Sequence, residues 1–591
     1  QAGRDLGITA SDVVGTHEVN LRAGNDIAIA AGQHTQSQES FREVRKSGLF
    51  SGGGLGVTIG KQQQSTDTAT SSNTAATSMV GSVSGDTYIQ AGRRYQQTGS
   101  TVSSPQGDVN IRAQQVAIEA AQDGHSHDYH YKFEQKGLTV AVNAPVINAM
   151  QAAASAVKSV EKIGQSKDDR INALAAANTA WETYQSAGAM RQIAQDPKAA
   201  VSQDISVSIT YGEQKSQSES HSRSTEAAAS QLHAGGKVHI TAQGADENSN
   251  INIIGSDIAG QGGTHLQADN AVNILAAEQT NTERSSNTSS GWNAGVAISY
   301  GQSGMGFGIT AGGNHGKGTG NGDDTSYRNS HVGSTSSATT IQSAGATNII
   351  GGQVTGQSVG IEAAELNIQS LQDTSRYDSR QKDMSAQVTV GYGASASGSY
   401  SQSKINADYA AVREQSGILA GDGGYQIKVE GNTDLQGGLI TSSQAAEEAG
   451  KNSLSTGTLT ASDIQNRANY DGESFGVSAS GAINGGWDGK TVDKKGNATS
   501  ALSKSVGLGA DSESASSVTQ SGINTANIGI TDQAKQQALT GQTAEEAVAA
   551  IRTDATTDNY ASQAGYLDNN FDSERVLKEL NLQVEVTEQF Q

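Results

Sequence analysis

The chain contains no cysteine, so no disulfide framework and no thiolate metal site holds it together. Proline occurs three times in 591 residues, and aromatic residues make up 4% of the total. A compact enzyme domain fills its centre with large side chains, and so small an aromatic complement argues against one. No run of about 18 apolar residues is present, which excludes a membrane-crossing helix. Positive charge is scarce: 39 Lys and Arg stand against 60 Asp and Glu, for a net charge of −21. That balance disfavours nucleic acid and anionic lipid headgroups as electrostatic partners. The chain opens at Gln1 without a signal-peptide pattern and stops at Gln591 in polar sequence, so a fragment of a longer protein is expected.

What is abundant is glycine, 71 residues against a usual share of roughly 7%, together with Ser, Thr, Gln, Asn and Ala. A polar, Gly-rich chain invites a disordered reading. Recurring short Val/Ile strands oppose it. The clearest block is Gly235–Ala277, where Val238 and Ile240, Ile251 and Ile253, Leu266, and Val272 and Ile274 alternate with polar neighbours between Gly-, Asn- and Asp-rich turns. Period two over so few residues predicts strands. Strands this short bury a face only when stacked as successive rungs of a solenoid, whose narrow interior needs one or two aliphatic side chains per rung.

The block recurs. With Ile29, Ile118, Ile274, Ile368 and Ile464 as markers, the separations are 89, 156, 94 and 96 residues. The excess in the second interval is an Ala-rich segment at 144–200, bounded by Pro145 and Pro197. Val146, Met150, Ala153, Val157 and Val160, then Ile171, Leu174, Ala177 and Trp181, recur at helical spacing, which predicts two helices around a turn at Gly164–Asp169. A second class of strand follows a polar tract in each repeat: Leu55–Ile59, Leu138–Val142, Ile205–Tyr211, Val388–Tyr392 and Phe475–Ala479. Its best example is Gly291–Tyr300, with Trp292, Ala294, Val296, Ile298 and Tyr300 on one face and small or polar residues on the other. Residues 484–530 read as a loose Gly/Ser-rich linker. Asp532–Leu539, Thr543–Arg552 and Ser573–Leu580 read as short helices, with Thr543 and Glu546 spaced for a capping box.

The anchors Gly107–Ala113 and Gly236–Ala242 share a G-x-V-x-I-x-A pattern. With the stretch Gly522–Asn527 through Thr543–Ala547 and the closing residues Leu580–Gln591, they give the chain a family likeness. It resembles the haemagglutinin-repeat region of two-partner-secreted exoproteins, most closely the second filamentous-haemagglutinin repeat region of contact-dependent growth-inhibition toxins. The resemblance implies a right-handed parallel β-helix, secretion through a two-partner system to the surface of a Gram-negative cell, and a part in carrying a C-terminal toxin into a neighbouring cell. The N-terminal secretion domain and the Val-Glu-Asn-Asn motif that precedes the toxin in the family do not occur in this sequence, so no catalytic residue is carried over.

Candidate chemistry is sparse. His125, His127, Asp128 and His130 form a His-rich cluster in which two imidazoles share a strand face, but no further ligand completes a zinc or nickel set, and a solvated loop is expected. Asn484–Thr491 nearly spells a phosphate-binding loop, with Asn in place of the first Gly and no following helix; Gly312–Gly318 fails likewise, and both are read as turns. The acidic pairs Asp323–Asp324 and Glu447–Glu448 lie outside the strand pattern and form no facing carboxylate pair. The expectation is an all-β solenoid at 1–143 and 201–483, of about five repeats of ~93 residues, each projecting a β-hairpin. A helical hairpin is inserted at 144–200, a linker follows at 484–530, and a helical segment closes the chain at 531–591. Neither catalytic nor cofactor nor metal residues are assigned. The alternating strand from Trp292 to Tyr300 matches a bilayer-crossing β-strand in length and in its terminal aromatics. It is the candidate membrane-facing element, the alternative being that such hairpins fold back on the solenoid. The expected partners are a target-cell outer membrane or surface receptor and no nucleic acid, with an adhesin stalk as the competing function.

Overall fold

The computed structural model describes residues 1–51, 56–143, 159–195, 205–301, 304–391, 393–484 and 500–590. Each short Val/Ile strand forms one side of a three-sided rung. In the first complete rung the sides are Asp12–Gly15, Val19–Ala23 and Asp26–Ala30. The next rung lays Met79–Ser82, Thr87–Ala91 and Arg94–Thr98 on them in parallel register, with Val80 on Val13, Ile89 on Leu21 and Gln97 on Ile29. Stacking continues to Ile523 and Ile528–Ile530. The β-solenoid expected from the repeats is therefore the fold.

Alternation along each side points one residue in and one out, so the interior becomes vertical files. Val80, Val102, Leu232, Ile258, Val332, Val354, Ile418, Ile440 and Ile523 form one such file, and none is more than 1% exposed. Each buried aliphatic contributes roughly 1.5–3 kcal/mol, which is how a chain so poor in aromatics stays folded. Outside, Asn252, Asn273, Asn348 and Asn367 stack as an amide ladder, the last three each donating Nδ2 to the Oδ1 of the asparagine before at 2.7–2.8 Å.

One corner of the triangle alternates in character. In every second rung the chain turns this corner through a glycine in the left-handed region: Gly99, Gly255, Gly351 and Gly437, with φ of 55, 55, 68 and 58°. A Cβ there would press on the residues above and below, as on Ala277 at 2.4 Å for Gly255. In the intervening rungs the chain leaves the solenoid at this corner and returns after a long hairpin. Fully buried serines line the corner. The backbone N–H groups of Ser100, Ser230 and Ser256 donate to the hydroxyls of Ser230, Ser256 and Ser330 at 3.0–3.3 Å. Two hairpin roots are pinned further: His331 lies between Asp257 (2.9 Å) and Glu414 (2.6 Å), and Arg328 reaches Asp257 at 2.7 Å. Hydrogen bonds to Asp257 and Glu414 raise the His331 pKa to about 9.

Five hairpins leave the solenoid in this way: Gly32–Ser51 with Gly56–Ala76, Ala121–Asn143 with Ile205–Ala228, Ala277–Gly301 with Gly304–Arg328, Gln372–Gly391 with Gly393–Val412, and Ile464–Asn484 with Ser500–Thr519. They do not stand apart. All ten strands pair side by side into one antiparallel sheet running the length of the stack. The spacing explains it. Two rungs rise by about 9.6 Å, and a hairpin of two strands occupies the same ~9.6 Å.

Several local expectations change. The polar tracts read as loops are the root halves of these strands; His125–His130 and Gly312–Gly318 lie mid-strand. Neighbouring strands satisfy their backbone groups, so hydrophobicity is not required there. Of the expected linker, Ser500–Thr519 is the tenth strand of the sheet, while 485–499 lies outside the described residues, as does most of the first arm of the helical insert. The second arm is helical over Asp169–Gln195. The closing helices span Gln533–Thr540, Ala544–Ile551 and Ser573–Phe590, and the Thr543–Glu546 capping box is present.

Candidate membrane-facing sheet

Period two gives the ten-stranded sheet two faces of opposite character in its outer half. One register row can be followed through all ten strands: Leu49, Ile59, Leu138, Tyr211, Ala294, Ala311, Val388, Ala396, Gly481 and Leu502. It contains no polar residue. Two positions farther out, Val57, Val140, Ile209, Val296, Ile309, Val390 and Ala394 form a second apolar row on the same face. These side chains do not fold back on the solenoid: Leu49 is 72% exposed, Ile309 70% and Leu502 71%. Of the sequence candidates, Ala294, Val296 and Ile298 belong to this band, and Trp292 stands one same-face register inside it. Tyr300 pairs through its backbone with Ile205 and Met305, and its side chain lies outside the described residues. Aromatic rings stand at the band's inner edge and in the registers next to it, Trp292 beside Tyr211 (centroids 6.1 Å apart) and Tyr400 beside Phe475 (5.6 Å).

The opposite face carries Gly, Ser and Thr. Gly48, Gly60, Gly137 and Gly212 stand directly across from one another on four adjacent strands. A Cβ on Gly60 would lie 2.1 Å from the Lys136 carbonyl oxygen, and one on Gly137 would lie 2.5 Å from that of Ile59. Only glycine lets the strands close to this distance. The glycine line also separates the apolar outer half of each strand from its Gln- and Ser-rich inner half. A groove of about 510 Å³ runs along this face, lined in part by Thr58, Thr139, Thr210 and Asn293.

At the far end of the same face, two helices from distant parts of the chain cover the last hairpins. Val576 and Leu580 of the last helix (Ser573–Phe590) pack on Ile405 and Tyr470. Gly476, Gly507 and Gly509 admit it so closely that a Cβ on Gly507 would meet the Val584 carbonyl at 2.6 Å. The insert helix (Asp169–Gln195) packs Ile171 and Ala175 on Leu582 and Val586. Buried Glu579 accepts hydrogen bonds from the Ser166 hydroxyl and the Lys167 N–H (3.2 Å), and Lys167 Nζ reaches the Tyr470 hydroxyl at 2.8 Å. Burial pushes the Tyr470 phenol above its usual range.

The remaining candidates do not converge. His125 and His127 face the small-residue side among serine and threonine hydroxyls. His130 points the other way, 3.6 Å from Glu219. Among the described residues no three His, Asp or Glu side chains are grouped to hold a metal ion. Asp323 pairs with Arg284 and Glu447 with Arg552. Of Asn484–Thr491, only Asn484 falls within the described residues.

A family model described as Hemagglutinin repeat matches residues 1–137 and 209–384. The chain belongs to the hemagglutinin-repeat family. The gap in the match, 138–208, holds the insert helix. The tRNA nuclease CdiA of Yersinia mollaretii is 33% identical over 547 residues, which cover 91% of this chain and 18% of that protein. The tRNA nuclease CdiA of Escherichia coli strain NC101 is 34% identical over 548 residues, 91% of this chain and 16% of that protein. The Deoxyribonuclease CdiA of Yersinia pseudotuberculosis is 32% identical over 486 residues, 81% and 44% respectively. The hemagglutinin-repeat chain is thus a repeat region of CdiA type, from a class of secreted cell-surface exoproteins, and spans less than a fifth of the first two relatives.

Proposed function

We propose that this chain is the filament and translocation module of a contact-dependent growth-inhibition exoprotein, exported by a two-partner route, and that its hairpin sheet engages the outer membrane of a target cell. On this reading it does no catalysis; the nuclease activities in the relatives' names belong to their toxin parts. The observation that carries the reading is the apolar band. It crosses ten strands, ~43 Å at the usual interstrand spacing, and contiguous exposed apolar surface on that scale marks a contact with lipid or protein. Aromatic rings at its border fit a membrane interface.

The test is protease protection of residues 1–591 with outer-membrane vesicles. Protection of the hairpin sheet is expected, and its absence while the chain still binds cells points instead to an adhesin stalk. Ile309→Thr keeps a β-branched side chain and removes exposed apolar surface. Full burial of an Ile is worth roughly 1.5–3 kcal/mol, so its exposed part accounts for about 1–2, and vesicle partition is expected to drop about 5- to 30-fold with thermal stability unchanged. Unchanged partition refutes lipid contact by this row.

A further inference from the structure

The net charge of −21 conceals a local reversal on the apolar face of the sheet. In the three registers just inside the band, Lys61, Lys132, Lys317, Lys382 and Lys504 are exposed and make no ion pair among the described residues. The carboxylates in these registers, Glu43, Glu134 and Glu213, are each matched by a cation two residues along the same strand: Arg45, Lys136 and Lys215. The excess is therefore five positive charges. Beyond one mixed register, the sign changes: Glu39, Asp128, Asp378 and Asp471 occupy a row in which Arg284 is the lone Lys or Arg among the described residues.

Two of the cross-strand pairs are unfavourable on their own. Lys61 is directly opposite Lys136, and Lys317 directly opposite Lys382. Like charges facing one another across a ladder destabilise a sheet, and among the described residues no carboxylate pairs with Lys317 or Lys382. An external anion would neutralise them.

We infer that this basic belt docks on the phosphates of anionic lipid headgroups, while the apolar band beside it meets the acyl chains. The order on the face (apolar band, then registers that mix aromatic rings with cations, then carboxylates) is that of a surface set at a fixed depth in a charged interface. A nucleic acid would neutralise the lysines but leave the adjoining band exposed, so lipid is favoured. The inference rests on the membrane reading above and adds the chemistry of the surface engaged.

The test measures binding of residues 1–591 to phosphatidylglycerol vesicles, to phosphatidylcholine vesicles and to single-stranded DNA. The parent is expected to prefer phosphatidylglycerol. Lys317→Ser with Lys382→Ser is expected to weaken that binding about 30-fold, at about fivefold per lysine near an anionic surface, and to leave phosphatidylcholine binding unchanged. Lys428→Ser, on the exposed side of a solenoid strand, removes a lysine away from the belt and is expected to have no effect. Because the double variant removes a repulsive pair, its melting temperature should equal or exceed the parent's, so lost binding is not misfolding. Full phosphatidylglycerol binding by the double variant overturns the belt and leaves the membrane reading standing. Failure of the parent on both vesicles overturns both. Lysine-dependent DNA binding without vesicle binding overturns the assignment in favour of nucleic acid.

Discussion

Leu580→Ala is expected to release two helices that are about 400 residues apart in sequence. Leu580 is fully buried with Val576 against Ile405 and Tyr470, in a cluster separate from the solenoid core. Truncating a buried Leu costs about 2–5 kcal/mol. The last helix meets the sheet along a single stripe, so the loss weakens its docking and leaves the rungs unaffected. The population of the undocked form should rise by a factor between about 30 and several thousand, since each 1.4 kcal/mol is tenfold in the equilibrium. The insert helix meets the last helix through Ile171, Ala175, Leu582 and Val586, so it loses its support at the same time. Native-state hydrogen exchange reads both. Amides of 573–590 and of the first turns after Asp169 should exchange faster together, while those of Ile240 and Ile274 in the core keep their protection. Leu539→Ala, at a position 56% exposed, should change neither. Faster exchange in 573–590 with 169–184 still protected would show that the insert helix is held by something else and would refute the coupling. No change in either would refute the docking role of Leu580.

Gly255→Ala puts a side chain at φ 55°, where its Cβ would lie 2.4 Å from that of Ala277; a left-handed L-residue costs roughly 1–2 kcal/mol and the overlap adds to it, so a clear drop in melting temperature is expected, and none would mean the corner relaxes freely. His331→Gln tests the pinned roots by pH. The folded pKa of His331 is raised to about 9 by Asp257 and Glu414, so its charge stabilises the fold fully below about pH 6.5 and that stabilisation fades as pH rises toward 9. The melting-temperature gap between parent and His331→Gln should therefore be widest near about pH 6 and close above about pH 9; with 43% of the His331 side chain exposed, solvent screening keeps the gap modest, and a gap that widens with pH refutes the assignment.

Stacked rungs were legible because Ile, Val and Leu recur with period two at positions such as Val238, Ile240 and Ile253, and burial of that face overrides the polar composition around it. The second arm of the insert was legible because Ile171, Leu174, Ala177 and Trp181 switch to helical spacing. The hairpin roots were not. Stretches such as His125–Phe133 and Ser500–Thr519 carry no apolar alternation, and they are strands because neighbouring backbones complete their ladders, a long-range cause that local pattern does not record. Alternation of turning and projecting corners was written in the sequence all the same, as Gly-Ser or Gly-Gly at Gly99–Ser100, Gly255–Ser256, Gly351–Gly352 and Gly437–Gly438. Membership of Trp292–Ile298 in one face was correctly legible, but the extent of that face emerges only when ten strands align. The basic belt was hidden by the total charge, because its lysines are up to 443 positions apart in the chain, from Lys61 to Lys504.

The equality between two rungs and one hairpin makes this molecule's length come in fixed steps. A change that added or removed a single rung would shift every later hairpin by ~4.8 Å, leaving either a slit one strand wide in the sheet or two strands contending for one place. Growth or shortening by a rung pair with its hairpin keeps the sheet closed, whatever the residues in it. A lineage of such proteins can therefore vary its reach only in increments of ~9.6 Å, and every increment lengthens the apolar band by the same amount.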